Sequence, residues 1–174
     1  MKPSAQLADA MNEHMKNEFY SSYLYLAMAA WSESAGFEGA GQWMRRQAAE
    51  EHGHGMKFYD FLLDRGATVV LKSIPQPPAD FGTLRAMYEQ GLRHEEMVSQ
   101  SINRLYALAL QDHDFAAAQF LDWFVKEQVE EEKTMQTIVD RLTLAGGDGP
   151  ALLQLDRELA SAKQDAGEAE GGAA

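Results

Sequence analysis

At 174 residues the chain has the length of one domain, and its 45% apolar and 24% charged residues are ordinary for a water-soluble protein. No apolar run approaches the roughly 20 residues that a membrane-spanning helix needs, and a net charge of −12 disfavours nucleic acids and favours cations as partners. Because the chain has no cysteine, oxygen and imidazole ligands would have to bind any metal ion.

The first 66 residues predict two antiparallel helices. Residues from about Ser4 to Ser34 lack glycine and proline, show apolar residues at helical spacing, and begin with a serine that can cap the helix. A break at Gly36 to Gly39 follows. The second helix is predicted from about Ala40 to Arg65, before Gly66.

The segment from Gly66 to Gly82 is a long connection in which three prolines exclude a helix. A helix of about 27 residues is roughly 40 Å long, and about 17 extended residues reach roughly 55 Å. The connection can therefore cross the whole bundle, so that the second and third helices run parallel.

The third helix is predicted from about Thr83 to Leu110, and a turn at Gln111 to Asp114 leads to a fourth helix that ends near Gly146. A short apolar helix follows around Ala151 to Ala160. The chain thus predicts an all-α four-helix bundle with a long crossover and a short fifth C-terminal helix. Residues 1–164 form the expected domain, and 165–174 have the composition of a flexible tail.

Each of the four long helices carries an acidic residue on its predicted inward face. These acidic residues, which interrupt otherwise mostly apolar faces, are Glu18 in the first helix, Glu51 in the second, Glu95 in the third and Glu131 in the fourth. In the second helix, His54 follows Glu51 one turn later. The remaining inward positions are Leu7, Met11, His14, Ser22, Tyr25, Ala29, Met44, Gln47, Phe58, Phe61, Leu84, Tyr88, Gly91, Val98, Ile102, Leu105, Phe120, Phe124, Gln128, Met135, Ile138 and Leu142.

These four glutamates lie near the midpoints of their helices and should meet at one level. Uncompensated carboxylates in a bundle core are costly, so they need a cation. Oxygen ligands with one imidazole suit iron or manganese. Glu51 can bridge two ions, with Glu18 and His54 on one side and Glu95 and Glu131 on the other.

Taken singly, each of these features has a plainer explanation. A lone Glu-x-x-His occurs often by chance, and Tyr25 is by default a core tyrosine with a bonded hydroxyl. The acidic run Glu130 to Glu132, with Glu127 and Glu50, would usually be a solvated face. Here these residues adjoin the predicted centre, which favours a third cation site.

The motifs NEFYSSYLYLAM, FEGAGQWMRRQAAEEHGH and DWFVKEQVEEEK resemble, in order, those of bacterial non-haem ferritins, and the similarity extends from about Ser4 to Leu159. The resemblance implies a ferritin-like bundle and a homo-oligomeric shell of twenty-four subunits that stores a ferric mineral, with the fifth helix near a fourfold axis. It also implies an iron site of Glu18, Glu51 and His54, and a second of Glu51, Glu95 and Glu131. Gln128 and Tyr25 would lie beside the pair, and a third iron would lie among Glu50, Glu127, Glu130 and Glu131.

The haem-containing relatives in this superfamily bear a second Glu-x-x-His in the fourth helix, where this chain has Gln128 and Glu131, and a haem-ligating methionine where it has His52. No haem is therefore expected, and His52 is expected at the surface or at a subunit contact. Animal-type ferritins line a threefold channel with acids early in the fourth helix, where this chain offers mainly Asp122.

The predicted function is iron storage with ferroxidase activity, in which dioxygen or hydrogen peroxide oxidises Fe(II). Three alternatives remain: a di-iron oxidase or peroxidase without storage, a passive shell subunit, and a DNA-protecting mini-ferritin with sites between subunits. The complete set of ligands argues against the passive subunit, and the negative charge against DNA protection. The absence of cysteine and the polar start of the chain are consistent with a cytoplasmic protein.

Overall fold

A computed structural model of the protein describes residues 2–162. These residues form helices joined by turns and one long crossover, and no strand occurs among them. The predicted tail at 165–174 lies outside the described residues. The helices are α1 (Ala5–Ser34), α2 (Glu38–Asp64), α3 (Leu84–Gln111), α4 (Phe115–Ala145) and α5 (Gly149–Ser161).

The crossover between α2 and α3 follows α1 along most of its length. Near the start of α1, the side-chain amide of Asn12 donates to the carbonyl of Thr68 (3.0 Å), and its oxygen accepts from the N–H of Val70 (2.7 Å). Near the other end, the indole N–H of Trp31 donates to Asp80 (3.2 Å). Because α1 packs against α2 and α3 against α4, this course makes α2 and α3 parallel, as predicted.

The helix ends agree with the predictions except at the start of α2 and α5. Ser4 caps α1, since its hydroxyl accepts from the N–H of Leu7 at 3.1 Å. The helix α2 begins at Glu38, two residues before the predicted Ala40, although Phe37 supplies no capping side chain. The helix α5 begins at Gly149, two residues before the predicted Ala151, because the side chain of Asp148 caps it.

The core consists of two apolar clusters along the bundle. The cluster nearer α5 contains Tyr25, Met28, Met44, Met87, Met135 and Leu142. The other contains Leu7, Met11, Phe58, Leu62, Leu121 and Phe124. The four glutamates of the inward faces lie along the helices between these two clusters, with apolar side chains on both sides.

The predicted inward residues are buried with three exceptions, Ser22, Phe61 and Phe120, which are half-buried. The hydroxyl of Ser22 donates to the carbonyl of Ala48 on α2 at 2.6 Å, whereas its neighbour Ser21 is fully buried. The rings of Phe61 and Phe120 stack on each other with centroids 4.1 Å apart. No helix among residues 2–162 is long and apolar enough to cross a membrane.

Candidate metal centre

The four predicted glutamates are buried, each on a different long helix. Glu18, Glu51 and Glu95 expose at most 1% of their surface, and Glu131 exposes 6%. On α1 and α2, ligand atoms of Glu18, Glu51 and His54 all lie within 4.8 Å of one another. The structure therefore brings Glu18 of α1 together with Glu51 and His54 of α2, which lie 33 and 36 positions further along the chain.

The inner group formed by Glu18, Glu51 and His54 has the ligands of a metal site. The Nδ1 atom of His54 lies 3.6 Å from Oε2 of Glu51 and 4.0 Å from Oε2 of Glu18. Among the described residues, Oε2 of Glu18 and Oε1 of Glu51 have no hydrogen-bond partner. Buried carboxylate oxygens without partners are costly, so a cation that both carboxylates ligate fits this group.

Neutral donors hold the two glutamates of α3 and α4. The hydroxyl of Tyr25 donates to Oε1 of Glu95, and the side-chain amide of Gln128 donates to Oε2 at 3.1 Å. The amide of Gln47 lies 3.3 Å from both oxygens of Glu131. Amide and phenol groups orient a carboxyl group without supplying a positive charge, so a metal ion can still provide that charge. Gln47 was predicted as a core residue and not as part of the centre.

Burial changes the protonation of the centre. It raises the pKa of Glu51 and of Glu95 to about 8, and that of Glu131 to about 10, where the charges of Glu95 and Glu51 add to the effect. Without a cation these three carboxyls hold protons at neutral pH. Because a ligating carboxylate must be deprotonated, binding of a metal ion displaces those protons.

Glu18 differs from the other three because of His14. Burial raises the pKa of Glu18, but the charge and hydrogen bond of His14, together with the charge of His54 and a hydrogen bond with Glu51, outweigh it, so the pKa is lowered. Nε2 of His14 lies 2.5 Å from Oε1 of Glu18, and its Nδ1 lies 2.8 Å from the hydroxyl of Ser101. His14 was predicted only to face inward, although its spacing of four residues from Glu18 could have indicated the contact.

The surroundings of His54 and His94 shift the pKa values of the two imidazoles in opposite directions. Burial lowers the pKa of His54, but the hydrogen bond and charge of Glu51 raise it by more. His94 lies beside Glu95 on α3 and was not predicted as part of the site. Burial lowers its pKa to about 4, so the ring is neutral, and its Nε2 lies 2.7 Å from the hydroxyl of Ser21. His94 thus supports the helix packing around the centre.

A second group of possible ligands adjoins the first. Ligand atoms of Glu50, His54 and Glu127 also lie within 4.8 Å of one another. The carboxyls of Glu50 and Glu127 face a groove between α2 and α4 with a volume of about 420 Å³, which Glu130 and Glu131 also line. Glu130 is exposed there. All four acids predicted around a third ion therefore line one groove.

A lysine and a tryptophan that were not predicted as site residues border this second group. Nζ of Lys57 lies 3.2 Å from the ring centroid of Trp123, and that ring packs edge-on against His54 with centroids 5.2 Å apart. Burial lowers the pKa of Lys57, and the charges of Glu127 and Glu50 oppose the shift. Residue spacing within one helix could not indicate this contact, because it joins α2 to α4.

The comparison with protein families matches residues 8–145 to the ferritin-like domain. The chain is 39% identical over 163 residues to the bacterial non-heme ferritin of Staphylococcus saprophyticus, which covers 94% of this chain and 98% of the relative. It is 37% identical over 161 residues to that of Escherichia coli O157:H7, covering 92% and 96%.

Solved structures give the same result for the fold. An open-pore ferritin from the archaeon Archaeoglobus fulgidus has a TM-score of 0.92 and 41% sequence identity, covering 93% of this chain and all of that one. A humanized archaeal ferritin has the same TM-score and identity. The similarity thus extends over the four long helices that carry the buried carboxylates and over most of the chain.

Proposed function

The chain belongs to the ferritin family, and from this premise we propose that it oxidises Fe(II) at the buried carboxylate centre and stores the ferric product within a shell of identical subunits. The observation that carries the proposal is the inner group, in which Glu18 and Glu51 each have a buried oxygen without a hydrogen-bond partner among the described residues. His54 completes the group. Iron is here the substrate and the stored cargo.

Two Fe(II) ions are proposed to bind side by side. Glu18, Glu51 and His54 hold the first, and Glu51, Glu95 and Glu131 hold the second, so that Glu51 bridges the pair. Carboxylate and imidazole ligands suit iron. Gln128 and Tyr25 orient Glu95 through the hydrogen bonds that they donate to it.

The proposed reaction is that of a ferroxidase. The two Fe(II) ions give one electron each to dioxygen, which with two protons yields two Fe(III) and hydrogen peroxide. Hydrogen peroxide is the alternative oxidant, and with two protons it yields two Fe(III) and two waters. The protons that Glu51, Glu95 and Glu131 release on binding iron are available beside the reaction.

The finer features of the proposal follow the resemblance to ferritins. The shell is proposed to contain twenty-four subunits, and a third iron to bind among Glu50, Glu127, Glu130 and Glu131. The ferritin-like domain is proposed to extend over residues 1–164, the protein to be cytoplasmic, and haem to be absent. The shared groove of these four acids supports the third ion.

The retention of iron tests the storage function. Excess Fe(II) is added in air to the metal-free protein, and the ferric iron that co-elutes with it is counted per chain. We expect tens of ions or more per chain. Saturation at two or three would instead indicate a di-iron oxidase or peroxidase without a mineral.

A pair of histidine variants tests the site. We expect His54→Ala to slow the initial oxidation of Fe(II) by at least about tenfold. Even the loss of a residue that only hydrogen-bonds to a metal ligand lowers metal affinity or activity by about 10- to 100-fold. His52→Ala is the matched control, since His52 is exposed two residues away on the same helix. Equal initial rates for both variants would reject the assignment.

A further inference from the structure

His14 of α1 is a buried histidine to which the proposed function gives no role. It exposes 1% of its surface, and both nitrogens of its ring have partners. Nε2 lies 2.5 Å from Oε1 of Glu18, and Nδ1 lies 2.8 Å from the hydroxyl of Ser101 on α3. The ring also packs against Phe58 on α2, with centroids 4.8 Å apart. Contacts from three helices therefore fix the position of this ring beside Glu18.

The direction of the two hydrogen bonds follows from the chemistry of the groups. An ionised carboxylate such as that of Glu18 accepts hydrogen bonds and donates none, so the ring donates its Nε2–H to it. In the neutral ring Nδ1 is then the nitrogen without a proton, and it accepts from the hydroxyl of Ser101. Ser101 thus selects the tautomer of His14 that bonds to Glu18.

The two oxygens of Glu18 have different surroundings. Oε1 is held by His14, whereas Oε2 has no hydrogen-bond partner among the residues that the structure describes and lies 4.0 Å from Nδ1 of His54. His14 precedes Glu18 by four residues, so the two side chains are neighbours on one face of α1. The hydrogen bond therefore holds the carboxylate with one oxygen toward His14 and the other toward the inner group.

We propose that His14, itself held by Ser101, is a positioning residue that fixes Glu18 as a one-oxygen ligand of the inner group. The proposal rests on the proposed function, because it concerns the ion that Glu18 binds there. A carboxylate can ligate an ion through one oxygen or through both. With Oε1 bonded to His14, Glu18 occupies one coordination position through Oε2 and leaves another position open.

An open coordination position distinguishes a catalytic metal site from a structural one. If Oε1 were free to turn inward, Glu18 could ligate the ion through both oxygens, which would keep the ion but close that position. Loss of His14 should therefore slow oxidation more than it weakens binding. A histidine that only filled the core would show a different pattern, in which stability is lost and the rate is unchanged.

Initial rates of oxidation, measured against the concentration of Fe(II), test this difference. We expect His14→Leu, which has no donor, to lower kcat by at least about tenfold, as the loss of a hydrogen-bond partner of a metal ligand does, and to leave KM close to that of the wild type. His14→Gln should restore most of kcat, because an amide four residues before a carboxylate can also donate to it. An unchanged kcat in His14→Leu, or a His14→Gln variant that is equally slow, would overturn the proposal.

Ser101→Ala tests the outer part of the arrangement. The ring of His14 keeps its contact with Phe58 in this variant but loses the bond that selects its tautomer. We expect kcat to fall, although by less than in His14→Leu. A kcat equal to that of the wild type would overturn the role of Ser101.

Met11→Ala is the matched control for packing. Met11 is fully buried one turn before His14, in the apolar cluster that also contains Phe58, and its thioether has no donor to offer Glu18. We expect this variant to unfold at a lower temperature, as large-to-small core substitutions do, with kcat unchanged. A fall in kcat equal to that of His14→Leu would overturn the positioning role, because lost stability alone would then explain the rate.

Crystals with Zn(II), which binds carboxylate and imidazole without redox chemistry, test the geometry independently of activity. In the wild type we expect Oε2 of Glu18 about 2.0–2.2 Å from the ion, with Oε1 still bonded to His14. In His14→Leu we expect both oxygens of Glu18 on the ion. Two-oxygen ligation in the wild type, or one-oxygen ligation in both proteins, would overturn the proposal.

These measurements separate the role of His14 from the function on which it rests. Failure of the wild-type protein to oxidise and retain iron would reject the proposed function. Oxidation and storage by the wild type, with His14→Leu as fast as the wild type, would reject the positioning role alone.

Discussion

Glu51, Glu95 and Glu131 are both the candidate ligands of the centre and the residues whose protonation burial alters most. Each is neutral at pH 7 in the metal-free subunit, because burial raises its pKa to about 8 or about 10. A bound divalent cation favours the ionised form of these carboxyls, because its positive charge stabilises the negative carboxylates. The affinity of the centre for metal ions must therefore depend on pH.

Zinc binding should release protons. At pH 7 we expect Glu51, Glu95 and Glu131 together to release about two to three protons per chain when zinc binds, because only ionised carboxyls ligate a metal ion. At pH 9 the release should fall, since Glu51 and Glu95 are then ionised beforehand. Titration calorimetry in buffers of different ionisation enthalpy measures the number. An equal release at both pH values would contradict the raised pKa values.

The same pKa values predict how the stability of the metal-free protein varies with pH. The folded state binds more protons than the unfolded one between about 4.5 and 8, because folding raises the pKa of Glu51 and Glu95 from 4.5 to about 8. Stability therefore falls as pH rises through this window. Glu18 acts in the opposite sense, since its lowered pKa gives stability that is lost only in acid.

We expect the thermal midpoint of metal-free protein to be lower at pH 8 than at pH 6, and saturating zinc to reduce the difference. Differential scanning calorimetry at both pH values, with and without zinc, provides the measurement. The Glu95→Gln variant is the matched comparison, because an amide of the same shape cannot ionise. A midpoint that rises from pH 6 to pH 8 in the metal-free wild type would oppose this account.

At the scale of the elements, Asp156 joins the short helix α5 to the start of α2. Its carboxylate, 9% exposed, accepts from the N–H groups of Gly39 (3.0 Å) and Ala40 (2.8 Å). A Cβ atom at Gly39 would lie 1.8 Å from the carbonyl oxygen of Asp156, so only glycine permits this approach. Arg46 adds a bond from its guanidinium to the carbonyl of Leu159 at 2.6 Å.

Asp156→Ala should destabilise the subunit by about 1–3 kcal/mol, the cost of leaving buried backbone donors without an acceptor. Arg157→Ala is the control, since the neighbouring side chain is exposed. Thermal unfolding and helical content of both variants provide the measurement. Equal midpoints for the two would mean that α5 is not held through Asp156.

The Asp156 contact also illustrates what the sequence could and could not predict. Periodicity within one helix predicts which face is buried, and it therefore identified Glu18, Glu51, Glu95 and Glu131. It could not predict the start of α2, because the capping group comes from a residue 117 positions away.

The remaining differences have two causes. Ser22 was predicted to face inward, but its neighbour Ser21 is the more deeply buried of the two, and consecutive residues differ by about 100° around a helix. Lys57 was missed for another reason. Its long side chain reaches a ring on α4, and the sequence alone does not give the distance between two helices.

At the scale of the whole molecule, the crossover exposes apolar side chains in the isolated subunit. Val70, Leu71 and Ile74 are 46%, 71% and 42% exposed, and Tyr23 and Leu26 of α1, the helix that the crossover follows, are 51% and 45% exposed. Contiguous patches of exposed apolar side chains mark contacts with other proteins, whereas single ones are ordinary. In a homo-oligomeric shell this surface would pack against another subunit.

Leu71→Asp should therefore impair assembly while leaving the subunit folded. Leu71 is mostly exposed and contributes little to the core of its own chain, whereas a carboxylate buried between subunits would cost several kcal/mol. Gln76→Asp is the matched control, because it adds the same charge to an exposed polar position of the same segment. Light scattering after gel filtration gives the mass of each variant, and circular dichroism its helical content. We expect the Leu71 variant to form small species with normal helical content, and the Gln76 variant to keep the mass of the wild type. A Leu71 variant of unchanged mass would mean that the crossover faces solvent in the assembly, and that the subunits meet through other surfaces.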